Sequence, residues 1–168
     1  MSMKQIIDWD NLGFNAHETK SMYIAKFDSN GNCLDKGLVP YGDIKLSPAA
    51  TVLNYGQGVF EGTKAYESSK NQVVFFRLED NAKRFNNSCL RLCMPEIPNE
   101  MFVNAVKETV LDNLEYMPKK EQGSLYIRPL AFGSGPDLGV KPSSNYTFLV
   151  YVTPVGSYFQ SGLKSLNV

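Results

Sequence analysis

Strand-like runs near both ends of the chain, with two helical patterns between them, predict an α+β fold. The first observation is the opening segment "SMYIAKFDSNGNCLDKGLVPYG", in which Asp28-Ser-Asn-Gly31 is a turn between two extended stretches, because asparagine and glycine tolerate positive φ. The second is the pair "SLYIRPLAFG" and "YTFLVYVTPVG". The latter is nearly continuously apolar, as a strand buried on both faces must be. The third is helical spacing of apolar residues over "RLEDNAKRFNNSCLRLCM" and again from Glu100 to Tyr116. With 168 residues the chain is long enough for one domain with a real core.

After the opening hairpin, Ser47 suits an N-cap and Pro48 a first helical position, so a short helix is expected there, ended by Gly56 or Gly58. The segment "FEGTKAYESSKNQVVFF" follows as a second hairpin: Thr63 to Tyr66, a polar turn at Ser68 to Asn71, then Val73 to Phe76. In the next helix Leu78, Ala82, Phe85, Cys89 and Leu92 form the buried stripe, and Pro95 and Pro98 end it. Phe102, Val106, Val110 and Leu114 repeat every four residues in the last helix, with Ala105 and Leu111 beside them. Past Phe159 the chain turns polar. Residues 160–168, "QSGLKSLNV", are expected to open a linker to a second domain, which leaves 1–159 as the domain itself.

Lysine plus arginine balance aspartate plus glutamate at 17 each, so no broad field draws the chain to nucleic acid or to an anionic membrane. No apolar run reaches the roughly 18 residues that span a bilayer, and the acidic, weakly apolar start does not look like a leader. Three cysteines, Cys33, Cys89 and Cys93, suggest no disulfide framework. Cys89 and Cys93 are expected on one helix face as reduced thiols, which fits the cytoplasm. With His17 the only histidine, a zinc site and a Ser-His or Cys-His pair are both disfavoured, and His17 is expected at the surface.

The glycine-rich stretch "YGQGVFEGTKAY" invites comparison with a phosphate loop. It lacks the Gly-Lys-Ser/Thr ending, its Gly56, Gly58 and Gly62 have one residue too many for a dinucleotide fingerprint, and the helix precedes the strand. A sharp helix-to-strand turn is the plainer reading. Lys64 shares a strand face with Gly62 and Tyr66 and is expected to be a solvated edge lysine. Arg84, on the second helix, and Arg128, inside an apolar strand, each need an anion. A structural ion pair and a carboxylate or phosphate clamp are both open at this point. Tyr55, Phe60, Tyr126 and Tyr158 suit either a pocket wall or plain core.

Four ordered motifs, "LNYGQGVFEGTKAY", "FFRLEDNAKRF", "SLYIRPLAFGSGPDLGV" and "VTPVGSYF", resemble the N-terminal half of branched-chain amino acid aminotransferases, pyridoxal-phosphate enzymes of fold type IV. The resemblance runs from about Trp9 to Phe159. It implies that Arg84 holds the phosphate of pyridoxal 5'-phosphate, and that Tyr126 and Arg128 bind the side-chain carboxylate of glutamate or 2-oxoglutarate. It further implies that Phe14, Tyr55, Phe60, Val140 and Tyr158 wall the pocket for a branched side chain, some of them in a neighbouring subunit of a homodimer. Leu78 stands where that family usually has proline, which puts the local turn in question.

The family's reactive lysine lies further along than Val168, and neither Lys64 nor Lys164 matches it. The expectation is a truncated transaminase for leucine, isoleucine and valine with 2-oxoglutarate, inactive by itself. The alternatives are a catalytically dead domain that binds amino acids or regulates a full-length partner, and another fold type IV enzyme acting on D-amino acids or 4-amino-4-deoxychorismate.

Overall fold

The computed structural model describes residues 7–156, and the expected linker lies outside them. Seven strands form one sheet: β1 (Ser21–Asp28), β2 (Cys33–Pro40), β3 (Gly58–Phe60), β4 (Thr63–Glu67), β5 (Val73–Phe75), β6 (Ser124–Gly133) and β7 (Asn145–Val155). The order is β2-β1-β7-β6-β4-β5, and β3 pairs with β6 beside β4. All pairings are antiparallel. The apolar run that predicted a central strand is β7, held between β1 and β6.

Two helices, α2 (Leu78–Arg91) and α3 (Asn99–Asp112), cover one face of the sheet. Phe85 of α2, Phe102 of α3 and Phe148 of β7 meet there with ring centroids 5.3 to 5.9 Å apart. Ile97, Val106, Val110, Leu125, Ile127, Val150 and Val152 pack around them with almost no exposure. Asn113, fully buried just past α3, accepts from the N–H groups of Lys20 and Ser21 and donates to the carbonyls of Ser21 and Thr109. It thereby ties the end of α3 to the start of β1 and gives partners to backbone groups that burial takes away from water.

Several boundaries differ from the sequence reading. The short helix α1 is Thr51–Tyr55, with Ala50 as its cap, because Ser47 is spent on a turn that receives the N–H groups of Ala49 and Ala50. Gly56 ends it in the left-handed conformation, φ 66°, as glycine allows. Strand β5 stops at Phe75, and Phe76 is exposed. Helix α3 stops at Asp112 and a 3₁₀ turn, Leu114–Tyr116, takes the chain onward. Leu114, past the helix end, is exposed; Leu111, within α3 but on the face opposite Phe102, is exposed too, while Ala105 and Val110 are buried. Leu92 is the C-cap of α2 and is exposed, and Cys93, beyond it with φ 52°, is exposed too. Only Cys89 belongs to the buried face. Helix α2 starts at Leu78 without proline: Arg77 turns into the left-handed region, φ 50°, and Leu78 drops into the core.

Candidate active site

The site grows from an interruption between β3 and β4. Register runs through unshifted, from Gly58 opposite Phe132 and Phe60 opposite Leu130 to Thr63 opposite Ile127 and Ala65 opposite Leu125. Between them Glu61 and Gly62 face Pro129 and Arg128, where proline offers no N–H to continue the ladder. Glu61 still donates its own N–H to the Pro129 carbonyl at 2.9 Å. Side chains alternate along this line. Val59 packs on the helix-covered core, and Glu61 points the same way, whereas Phe60 and Lys64 stand on the open face.

On β6 the same alternation buries Leu125, Ile127 and Ala131 in the core and brings Tyr126, Arg128 and Leu130, all half-buried, to the open face. Arg128 donates from Nε and Nη2 to the Tyr126 hydroxyl, at 3.3 and 2.9 Å. Its guanidinium carbon lies 4.6 Å from the Phe60 ring centroid. Phe14 sets its ring edge-on to Tyr126 at 5.1 Å. Among the described residues no carboxylate forms an ion pair with Arg128. Arg128 thus stands half-buried beside Phe60, Leu130, Leu149 and Tyr151 in a cleft of about 320 Å³, and a guanidinium so placed can pair with an anion.

Gly62 leaves room for this arrangement. A Cβ there would lie 2.3 Å from the Tyr126 hydroxyl oxygen. Neither Glu61 nor Gly62 stands out as a site residue in the sequence. The available signal for Glu61 was a lone acid between Phe60 and Gly62 in an apolar run, which demands a cation or a polar partner.

Arg84 lies on the helix side. Its Nε and Nη2 donate to the two oxygens of Glu61 at 3.0 and 2.8 Å, and Asn81 Nδ2 donates to Glu61 Oε2 at 2.7 Å. Hydrogen bonding to Glu61, with its charge, raises the Arg84 pKa further above an already high value. Arg84 also lines a cleft of about 460 Å³ with Gly62, Thr63, Lys64, Arg77 and Tyr126. Lys64 is not a solvated edge lysine: β4 is flanked by β5 and β6, and the half-buried Lys64 stands opposite Tyr126. The sequence alternation could not show this, because it does not reveal a strand's neighbours.

Tyr55 and Val140 meet elsewhere. They line a smaller cleft of about 280 Å³ with Leu92, Cys93 and Pro142, and the Tyr55 hydroxyl donates to the Leu138 carbonyl. The expected single wall is therefore divided within this chain: Phe14 and Phe60 stand by Arg128, and Tyr55 and Val140 stand on a separate edge. Tyr158 lies outside the described residues. His17 is half-buried rather than at the surface; its backbone N–H donates to Thr153 Oγ1 at 2.8 Å, and its buried Nδ1 has no hydrogen-bond partner among the described residues. Among the described residues there is no group of three or more histidines, cysteines or acids able to hold a metal, and no helix long and apolar enough to cross a membrane.

No family model matches the chain. It is 48% identical over 162 residues to branched-chain-amino-acid aminotransferase 2, chloroplastic, of Arabidopsis thaliana, covering 96% of this chain and 42% of that one. The branched-chain-amino-acid aminotransferase of Helicobacter pylori is 43% identical over 159 residues, covering 94% of this chain and 46% of its own. Among solved structures, the T.th. branched-chain amino acid aminotransferase complexed with N-(5'-phosphopyridoxyl)-L-glutamate is 34% identical. It aligns with TM-score 0.58 over 79% of this chain and 40% of its own. The enzyme of Thermoproteus uzoniensis with norvaline is 27% identical and aligns with TM-score 0.62 over 83% of this chain and 43% of its own. The chain spans less than half the length of these relatives. By sequence and by fold, this chain belongs to the branched-chain amino acid aminotransferase family, matching the N-terminal part of its members.

Proposed function

We propose that this domain forms the substrate side of a pyridoxal-phosphate transaminase that exchanges the amino group of leucine, isoleucine or valine with 2-oxoglutarate. The activity is that of a protein in which the domain is joined to the remaining length of its relatives. The observation that carries the reading is Arg128: half-buried on an apolar face, fixed by the Tyr126 hydroxyl and the Phe60 ring, and without a carboxylate partner among the described residues.

A site that accepts both a branched aliphatic side chain and the carboxylate of glutamate must hold its cation without a permanent anion. Stacking on Phe60 and donation to a neutral hydroxyl do this: they orient Arg128 and leave its charge uncompensated. Phe60, Phe14 and the aliphatic wall bury the branched side chain, and Tyr126 with Arg128 takes the distal carboxylate. Tyr55 and Val140 complete the wall of a neighbouring subunit in a homodimer, which fits the separation of their cleft from Arg128.

The cleft at Arg84 suits a phosphate monoester, since Arg84, Arg77 and Lys64 outnumber Glu61 and Asp80 around it. Arg84 would hold the phosphate. Pyridoxal phosphate, when bound, supplies the electron sink for the reacting amino acid. The three free cysteines support a reducing compartment, the cytoplasm in our reading, although relatives include chloroplastic and mitochondrial forms.

The test joins residues 1–168 to the remaining length of a close relative and follows glutamate formed from leucine and 2-oxoglutarate. The joined protein is expected to turn over, and the 168-residue chain alone is not. Arg128→Ala in the joined protein should raise the KM for 2-oxoglutarate far more than that for leucine. Equal damage to both substrates would count against the assignment.

A further inference from the structure

Glu61 presents an unusual pairing, because a carboxylate occupies the residue proposed to meet a phosphate. The geometry resolves the conflict. A guanidinium carries five N–H donors in a planar fork. Glu61 takes two of them, one from Nε and one from Nη2, along one edge of Arg84. Three donors remain, two on Nη1 and one on Nη2, and one from each nitrogen forms the second, end-on fork, suited to bidentate contact with a phosphate. The two partners also differ in freedom. The Glu61 side chain is only 14% exposed and is fixed by the buried Asn81, while that of Arg84 is 61% exposed. Glu61 turns toward α2, where its two oxygens meet Arg84 and Asn81, so the carboxylate serves the arginine.

We propose that Glu61 is a positioning residue: anchored by Asn81, it clamps the Nε–Nη2 edge of Arg84 and thereby presents the opposite fork to a phosphate monoester. This rests on the reading that Arg84 is the phosphate-binding residue. A free arginine on a helix surface would have to surrender rotamer entropy when it binds, and the clamp removes that cost beforehand. Against this stands the repulsion between the carboxylate and a dianion, which opposes binding through the same residue. The sign of the Glu61 effect therefore separates a positioning residue from a mere competitor.

The experiment titrates the 168-residue chain with inorganic phosphate and with pyridoxal 5'-phosphate at constant ionic strength. It follows the Arg84 Nε–H signal by nuclear magnetic resonance, in wild type, Glu61→Gln, Glu61→Ala, Arg84→Ala and Glu61→Ala/Arg84→Ala. The Arg84→Ala variants lack that signal, and the backbone amide shifts of Gly62 and Thr63 report binding in them. Far-UV circular dichroism confirms that each variant folds, and Glu61→Gln, which keeps the shape of the side chain, serves if Glu61→Ala does not.

Positioning predicts faster hydrogen exchange at Arg84 Nε–H in both Glu61 variants without ligand. It also predicts phosphate binding weakened about tenfold, the size of one lost charge-assisted hydrogen bond. In the Arg84→Ala background the loss of Glu61 should cost nothing more. Unchanged or tighter phosphate binding in Glu61→Gln, with Arg84→Ala still weakened, overturns the positioning role alone. Arg84→Ala binding phosphate as wild type does overturns the phosphate reading and the proposal with it.

Discussion

Arg128 spends two of its donors on one acceptor, the hydroxyl of Tyr126, at 3.3 and 2.9 Å, although the two residues are separated by only Ile127 on the same strand. Removing that hydroxyl leaves the Phe60 stack as the main constraint on the guanidinium. In the joined protein, Tyr126→Phe is expected to raise the KM for 2-oxoglutarate about tenfold, equivalent to roughly 1.4 kcal/mol. The KM for leucine should change little. Steady-state kinetics with each substrate varied in turn checks this, and an unchanged 2-oxoglutarate KM would remove Tyr126 from the carboxylate site.

Gly62→Ala tests the same contact from across the sheet. The added methyl would stand 2.3 Å from the Tyr126 oxygen, the far end of a long side chain that can swing away. The domain should therefore fold, losing about 1–3 kcal/mol at most as an overpacked site. The displaced hydroxyl should reproduce the Tyr126→Phe defect. Urea unfolding and 2-oxoglutarate KM are the two measurements. A large loss of stability with normal kinetics would mean that the backbone yields instead of Tyr126.

The three thiols should react unequally. Burial pushes the Cys89 pKa up to about 12, while Cys33 and Cys93 are exposed. At neutral pH the native chain is expected to take up two alkyl groups from iodoacetamide, and a third only after unfolding. Intact mass spectrometry counts them, and rapid triple labelling of the folded chain would contradict the packing of α2 on the sheet.

Acid should weaken the fold. Asp28 is held below its usual 3.8 by the Asn32 side chain, Asp112 by Lys20 and then Ser21, and Asp137 by the Ser144 N–H and then Lys141. A depressed folded-state pKa means that the unfolded chain binds protons first. The stabilisation is then complete above the ordinary carboxylate pKa and is lost as pH falls through the lower folded values. Urea midpoints should hold steady above about pH 5 and drop below about pH 4. Asp112→Asn should flatten that drop. A midpoint that stays level down to about pH 3 would refute the assignment of these three carboxylates as stabilising.

Much of this was legible in advance because it is local. The apolar run marked β7 as a central strand, helical spacing marked Phe85, Phe102, Val106 and Val110, and Gly56 was one of the two glycines expected to end α1. Where local signals competed, the reading slipped. Ser47-Pro48 had the composition of a helix start, but the Ser47 oxygens were consumed by a turn and the helix waited for Thr51. Leu92 and Leu114 continued an apolar pattern past the ends of their helices, and Leu111 lies on the face of α3 turned away from the sheet. Cys93 fell off the helix face because the chain turned through positive φ at that residue.

Sequence by itself determined the α+β class, the alternation that sends Tyr126 and Arg128 to one face, and the kinship carried by four ordered motifs. These depend on residue order and on the fixed periods of strand and helix. Only the tertiary structure decided what each charge meets. Glu61 and Arg84 are 23 residues apart, and nothing local states that the acid after one strand faces the helix while its neighbours face away. The same holds for Phe60 and Arg128, and for Gly62 and Tyr126, which approach only because β3, β4 and β6 share one register across the sheet. Register is a relation between segments, set by the whole core that buries one face of each strand, and it places these side chains together.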